Sequence, residues 1–427
     1  MPTPLQMKAD PVPEMGYGTP VPFSHPLLQR TLTAFTYRDF RVLWFGAFIS
    51  TVGTWMQKVA QSWLVFDLTK SSFFLGLDDF LGQLPILLFT LIGGVIADRH
   101  DRRRLLLGSQ YAQMATAFAL AWLVFASHVH VWHILALSAV TGFAQAFGGP
   151  AYQSLIPSLV RKQDLPNAIA LNSIQFNLAR VFGPLLAGGA LLLFGTAACF
   201  ALNGVSFVVV IVALMSLHIR HIRLPDKKPM LEDMKGGIAY ARSQPSIVAL
   251  TVLAFLTTFL GLPLLTFLPV FARETFHGDV SSYTYMMAFS GAGAVMGALG
   301  VAWMGRARRM GLILLLVQVA FGGLVTAFAL SRTWWLSCAI LFLAGAALII
   351  VFSMTASLVQ LIVPDHLRGR VVSIYMVAFR GGMPLGSLAG GYVASLTSAP
   401  HVLAVNGALV SVVAVYFLLR GEGIRGL

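Results

Sequence analysis

Runs of about twenty apolar residues recur along nearly the whole chain, each closed by a short polar break, and this recurrence limits the fold most. Twenty residues of helix rise about 30 Å, the thickness of a bilayer's hydrocarbon. Backbone groups inside lipid must pair within their own segment, so helices are what such runs form. Spans are expected at 42–66, 73–97, 105–125, 131–154, 168–194 and 198–219. Six more begin near Ile247, Tyr283, Leu312, Trp335, Val371 and Val402, giving an all-α membrane protein of about twelve helices.

Composition agrees with lipid as the solvent. Charged residues are 11% of the 427 and apolar residues 57%, against roughly 25% and 45–50% in soluble domains. The net charge of +13 raises a nucleic-acid reading, but its distribution argues against one. Basic residues gather in alternate loops: Arg99 and Arg102–Arg104, Arg161 with Lys162, the 220–242 stretch, Arg306 with Arg308 and Arg309, and Arg368 with Arg370. Lys and Arg resist translocation, so these loops and both termini are expected on the cytoplasmic side. Cys199 and Cys338 lie in apolar runs and imply no disulfide framework.

The polar breaks divide the chain further. Residues 1–38, Pro-rich and without an apolar leader core, are expected as a disordered cytoplasmic tail. A six-helix bundle follows at 39–220, a central cytoplasmic loop at 221–245, a second bundle at 246–420 and a short tail at 421–427. Met230–Arg242 has the spacing of a short surface helix. The halves repeat each other: Arg180-Val-Phe-Gly183-Pro184 with Gly188-Gly189 corresponds to Arg380-Gly-Gly-Met383-Pro384 with Gly390-Gly391, and Pro157 to Pro364. Parallel repeats of this kind are a hallmark of rocking-bundle architecture.

Charges inside the spans are costly and are therefore functional candidates. They are Lys58, the adjacent Asp78 and Asp79, Arg180 and Arg380. Lys58 and the two aspartates fall at a similar depth on antiparallel helices, and adjacent residues diverge by about 100°. One aspartate is thus expected to meet Lys58, leaving the other free to exchange a proton. Gln57, Gln61 and Gln145, with Trp55 and Trp63, are further candidates for a mostly apolar cavity.

The stretch Gly94-Val-Ile-Ala-Asp98-Arg99-His-Asp101-Arg102-Arg103 resembles the loop motif Gly-x-x-x-Asp-Arg-x-Gly-Arg-Arg of the major facilitator superfamily, with Asp101 in place of a Gly. With Gly53-Thr-Trp-Met-Gln57, Ala179-Arg180-x-x-Gly183-Pro184 and Pro364-Asp-x-x-Arg368-Gly369-Arg370, the chain resembles that superfamily's branch of drug and siderophore exporters. The resemblance implies two pseudo-symmetric six-helix bundles and alternating access. It implies a gate built on Gly94, Asp98, Arg99, Arg102 and Arg103, with Asp98 facing the N-terminus of helix eleven. In the second half Met304 stands where that acid would be. It also implies an export-associated motif at Gly183, Pro184, Gly188 and Gly189, which helix packing alone also explains. Proton-coupled efflux of a small amphipathic molecule by a monomer is the expectation. An importer or uniporter, or a non-transporting sensor or scaffold, is the alternative.

Other signals are weak. His128, His130 and His133 cluster without an acidic or thiol companion, so no metal is expected. Gly291-Ala-Gly293 with Gly297 lies inside an apolar run and reads as helix packing. No P-loop or nucleophile elbow occurs, so neither an enzyme nor a cofactor is expected.

Overall fold

The computed structural model describes residues 32–218, 239–305, 309–420 and 424–426. Among them the chain forms twelve long helices and no strand. The first four are α1 (Arg38–Thr69), α2 (Ser72–Arg99), α3 (Arg102–Phe125) and α4 (Val131–Leu155). Leu165–Met215 holds α5 and α6, broken at Gly195, whose φ of 77° and ψ of −179° suit glycine alone. The second six are α7 (Pro245–Gly261), α8 (Val280–Met304), α9 (Met310–Leu330), α10 (Trp334–Ile362), α11 (Asp365–Leu396) and α12 (Ala399–Leu419). After α7 the chain turns through Pro263–Thr266, Leu268–Val270 and a π-helical turn at Phe271–Thr275.

α1 and α11 run about a turn beyond their apolar spans, because polar residues complete the ends outside the hydrocarbon. α11 shows this best: it begins at Asp365, well ahead of the apolar onset near Val371, with Pro364 setting its start. Nine helical stretches among the described residues are apolar enough to cross a membrane, one of them holding both α5 and α6. The other two long helices, α1 and α3, lie outside that set. α1 carries Gln57, Lys58 and Gln61, and α3 carries Arg102–Arg104 and Gln113. α1 packs along α5 and α6, and α3 packs against α4 and α6 while exposing Trp122 and Phe125.

Contacts repeat between the halves. α1 against α5 and α6 corresponds to α7 against α11 and α12, α2 against α4 to α8 against α10, and α3 against α6 to α9 against α12. The bundles meet where α2 packs on α11 and α5 on α8, two contacts that exchange under the same pseudo-symmetry. Two six-helix bundles and the repeat are therefore visible in packing as well as in sequence.

The buried side chains show which end is closed. One cluster spans both bundles at the end away from the basic loops, joining Met56, Leu64 and Phe66 to Phe267, Phe271 and Tyr283. At the basic-loop end the bundles keep separate cores, one around Phe40, Leu106 and Leu214, the other around Leu250, Leu358 and Tyr375. Of the expected surface helix, residues 239–242 are helical. The remainder of Met230–Arg242 falls largely outside the described residues, as do the first 31 residues of the expected tail and Arg306 with Arg308.

Candidate functional site

The acidic pair on α2 divides its partners. Asp78 is buried and accepts hydrogen bonds from Gln61 Nε2 of α1 (3.0 and 2.8 Å) and Ser138 Oγ of α4 (2.5 Å). Gln61 Nε2 also donates to Ser138 Oγ, so three helices close on one carboxyl group. Asp79 points the other way: Lys58 Nζ lies 3.3 Å from Oδ1, and Ser387 Oγ of α11 donates to Oδ2 at 2.7 Å. Ser387 in turn shares a hydrogen bond of 3.2 Å with Thr266 Oγ1. The divergence follows from the 100° between successive helical residues.

Asp79 therefore ties the two bundles together. Its ion pair is only partly dry, the Lys58 side chain being 42% exposed and that of Asp79 10%. Such a pair contributes nearer about 1 kcal/mol than the several kcal/mol lost when a wholly buried pair is broken. A tie of that size can hold one conformation and still release. Around it the α2–α11 seam is narrow: a Cβ on Gly76 would lie 2.1 Å from the Ser387 carbonyl oxygen, and one on Gly391 2.7 Å from that of Ser72. Trp63 stacks on Tyr283 of α8 at 6.2 Å, and Arg273 lies over Trp63 at 5.9 Å, which completes the closed end.

Arg180 of α5 sits beside the same assembly. Its guanidinium lies over the Trp55 ring at 5.8 Å, and Lys58 Nζ lies over that ring at 5.9 Å. Trp55 is fixed by the approach of α1 and α5, for a Cβ on Gly183 would come within 2.3 Å of the Trp55 Cβ. A Cβ on Gly188 would meet Thr284 Oγ1 of α8 at 2.7 Å, whereas Gly189 faces open space. Gly183 and Gly188 thus set helix approach on either side of Pro184, which is buried within α5.

The remaining candidates disperse. Gln57 accepts from Asn203 Nδ2 of α6 at 2.7 Å, a contact inside the first bundle. Gln145 and Arg380 are exposed, with no hydrogen bond or ion pair among the described residues. Gly94 has open space around its Cβ position; its neighbour Gly93 makes the close approach, 2.4 Å from the Ala146 carbonyl oxygen of α4. The side chains of Asp98 and Arg99 lie outside the described residues.

The other motif residues have clear contacts. Arg102 Nη1 donates to the Ser154 carbonyl at the end of α4 (2.9 Å), and Arg103 Nη2 to the Met215 carbonyl at the end of α6 (2.5 Å). Helix C-termini carry unpaired carbonyls and a negative dipole end, so both cations cap helices of their own bundle. Asp101 caps α3, accepting from the backbone N–H of Arg103 and Arg104 at 2.9 and 3.2 Å. The acid that replaces the motif's Gly therefore has a structural task. His130 and His133 cap α4, the His130 backbone N–H donating to His133 Nδ1 at 3.1 Å.

Sequence reasoning missed Ser138, Ser387, Thr266 and Asn203. Small hydroxyls and amides are common in membrane helices, where they bond to their own backbone or to a neighbour. Nothing in the string of residues separates the four from the rest.

Over residues 29–421 the sequence matches the family described as transmembrane secretion effector. It is 25% identical over 351 residues to the staphyloferrin A transporter of Staphylococcus aureus, covering 80% of this chain and 86% of that protein. It is 24% identical over 388 residues to the enterobactin exporter EntS of Citrobacter koseri, covering 91% and 93%. A solved bacterial homolog of the human lysosomal transporter Spinster, inward-facing and occupied, shares the fold at a TM-score of 0.72 and 13% identity, over 92% of this chain and 97% of that one. The protein is a multi-pass membrane transporter rather than an enzyme, and it belongs to the transmembrane secretion effector family of the major facilitator superfamily.

Proposed function

We propose that this protein is a proton-coupled exporter of the inner membrane, moving a small amphipathic molecule such as a siderophore or a drug outward by alternating access. In this reading it acts as a monomer with both termini in the cytoplasm. The bundles at 39–220 and 246–420 rock about the cleft between them, linked by the loop at 221–245. The names of two relatives, a staphyloferrin A transporter and an enterobactin exporter, support the cargo class.

The observation that carries the coupling is the division of labour at Asp78 and Asp79. Asp78 has neutral hydrogen-bond partners, Gln61 and Ser138, so it can take up or release a proton without breaking an ion pair. Asp79 has Lys58 and, across the bundle seam, Ser387. Protonation at Asp78 changes what Gln61 and Ser138 can donate to, one helical position from the group that holds the bundles together. A proton arriving from the outer side would thus bias the seam that must part for cargo to leave.

Efflux from loaded proteoliposomes, with and without a pH gradient, tests the reading. Gradient-driven flux of an amphipathic cargo, lost in Asp78→Asn while gradient-free exchange survives, is expected. Undiminished gradient-driven flux in both Asp78→Asn and Asp79→Asn would sink the coupling. Flux indifferent to the gradient in the wild type would point to a uniporter.

A further inference from the structure

We propose that Arg180, Trp55 and Lys58 form a subsite for an anionic group on the cargo, a carboxylate attached to a planar ring. The inference rests on the reading of this chain as a transporter with a cleft between its bundles, and it names the chemistry that the cleft selects.

Two cations share one indole. Arg180 and Lys58 lie 5.8 and 5.9 Å from the Trp55 ring, so they stand no further apart than twice that distance. Of the two, Lys58 has Asp79 at 3.3 Å. Arg180 has no hydrogen bond or ion pair among the described residues, and its contact is the ring face. Asp79 is engaged by Lys58 and Asp78 by Gln61 and Ser138, so neither carboxylate is paired with Arg180. A guanidinium on a membrane helix is costly to keep without an anion, and an aromatic face compensates for only part of that cost. Arg offers parallel N–H donors that match a carboxylate, and Trp offers a face for a flat cargo ring.

Position favours cargo over a structural role. The Arg180 carbonyl lies 3.2 Å from where a Cβ on Gly291 of α8 would stand, which sets Arg180 at the α5–α8 seam between bundles. Lys58 reaches toward α11 through Asp79 and Ser387. The subsite therefore sits where both moving bodies meet, and Trp55 is held in place by the close approach of Gly183. An arginine that merely pinned helices would be expected to spend its donors on backbone carbonyls, as Arg102 and Arg103 do.

Calorimetric titration of the full-length protein in phosphatidylcholine nanodiscs at neutral pH tests this without any gradient. The probes are salicylate and its uncharged partner salicylamide, so acid and amide differ chiefly in charge. Zwitterionic lipid carries no net headgroup charge, and repeating the titration with phosphatidylglycerol shows whether an anionic lipid takes the site instead. Salicylate is expected to bind about tenfold more tightly than salicylamide. Arg180→Gln should erase that preference, chiefly by weakening salicylate. Arg180→Lys, which keeps the charge if Arg180→Gln folds poorly, should reduce the preference severalfold. Equal binding of the two probes, no binding at millimolar concentration, a preference that survives Arg180→Gln, or competition by phosphatidylglycerol alone would each overturn the proposal. Gradient-driven flux is a separate measurement, so the exporter reading can fail while this one stands, and the reverse.

Discussion

At the scale of single residues, the loop between α2 and α3 is better understood as a set of caps than as a charge cluster. Asp101 supplies acceptors for two N–H groups that would otherwise be unpaired at the start of α3. Asp101→Ala should therefore cost about 1 kcal/mol, and Asp101→Gly, which matches the family motif, less. Thermal unfolding in detergent should rank them in that order below the wild type. At the start of α1, Tyr37 Oη donates to Asp164 Oδ2 at 2.6 Å. Burial first, and the neighbouring carboxylate second, push the Tyr37 phenol from 10.0 to about 12. The neutral phenol is the bonded form, and its folded value is raised. Its contribution is thus complete below pH 10 and lost as pH climbs through about 12. Tyr37→Phe should lower stability by about 1–2 kcal/mol at neutral pH, and the gap should close above pH 10. Urea or thermal unfolding across that range would show it, and a gap that persists at pH 12 would refute the assignment.

At the scale of helices, close approach is what the glycines provide. Gly76 and Gly391 let α2 and α11 touch backbone to backbone beside the Asp79–Ser387 bond. A branched side chain at Gly76 would drive into the Ser387 carbonyl, so the seam would have to part. Gly76→Val is expected to shift the protein toward the state open at that end, which spin-label distances across the seam would report as a lengthening. Unchanged distances would mean that the seam repacks. Periodicity and span length revealed the helices, and depth matching brought Lys58 alongside the aspartates. Which aspartate faced which partner could not be read from the sequence, because it depends on the rotation of α2 set by α4 and α11. Gly94 shows the same limit: the motif marks it, yet the approach to α4 is made at Gly93.

At the scale of the molecule, one shared core at the closed end and two separate cores at the other make the structure a hinge held by few polar ties. Losing the Asp79 tie should therefore loosen the closed end without unfolding either bundle. Ser72 is 8% exposed and its carbonyl faces Gly391 across this seam, so Ser72→Cys places a thiol there. Cys199 and Cys338 are buried and leave a low background. Maleimide labelling of Cys at 72 is expected to rise severalfold when Asp79→Ala is added, with little change in thermal stability. Equal labelling in both backgrounds would show that the tie does not govern the seam.

The sequence by itself determined the solvent, the helix number and the repeat. Those follow from local chemistry: about twenty apolar residues must become a helix in lipid, and basic loops must stay on one side. It also marked Lys58, Asp78, Asp79 and Arg180, because charge in hydrocarbon is rare enough to stand out. Only the tertiary structure decided their partners. Whether a carboxylate meets Lys58 or Gln61, and whether Arg180 meets an acid or a Trp55 ring, depends on helix rotation and tilt. Those are fixed by contacts between residues hundreds of positions apart, such as Asp79 with Ser387, and no local pattern records them.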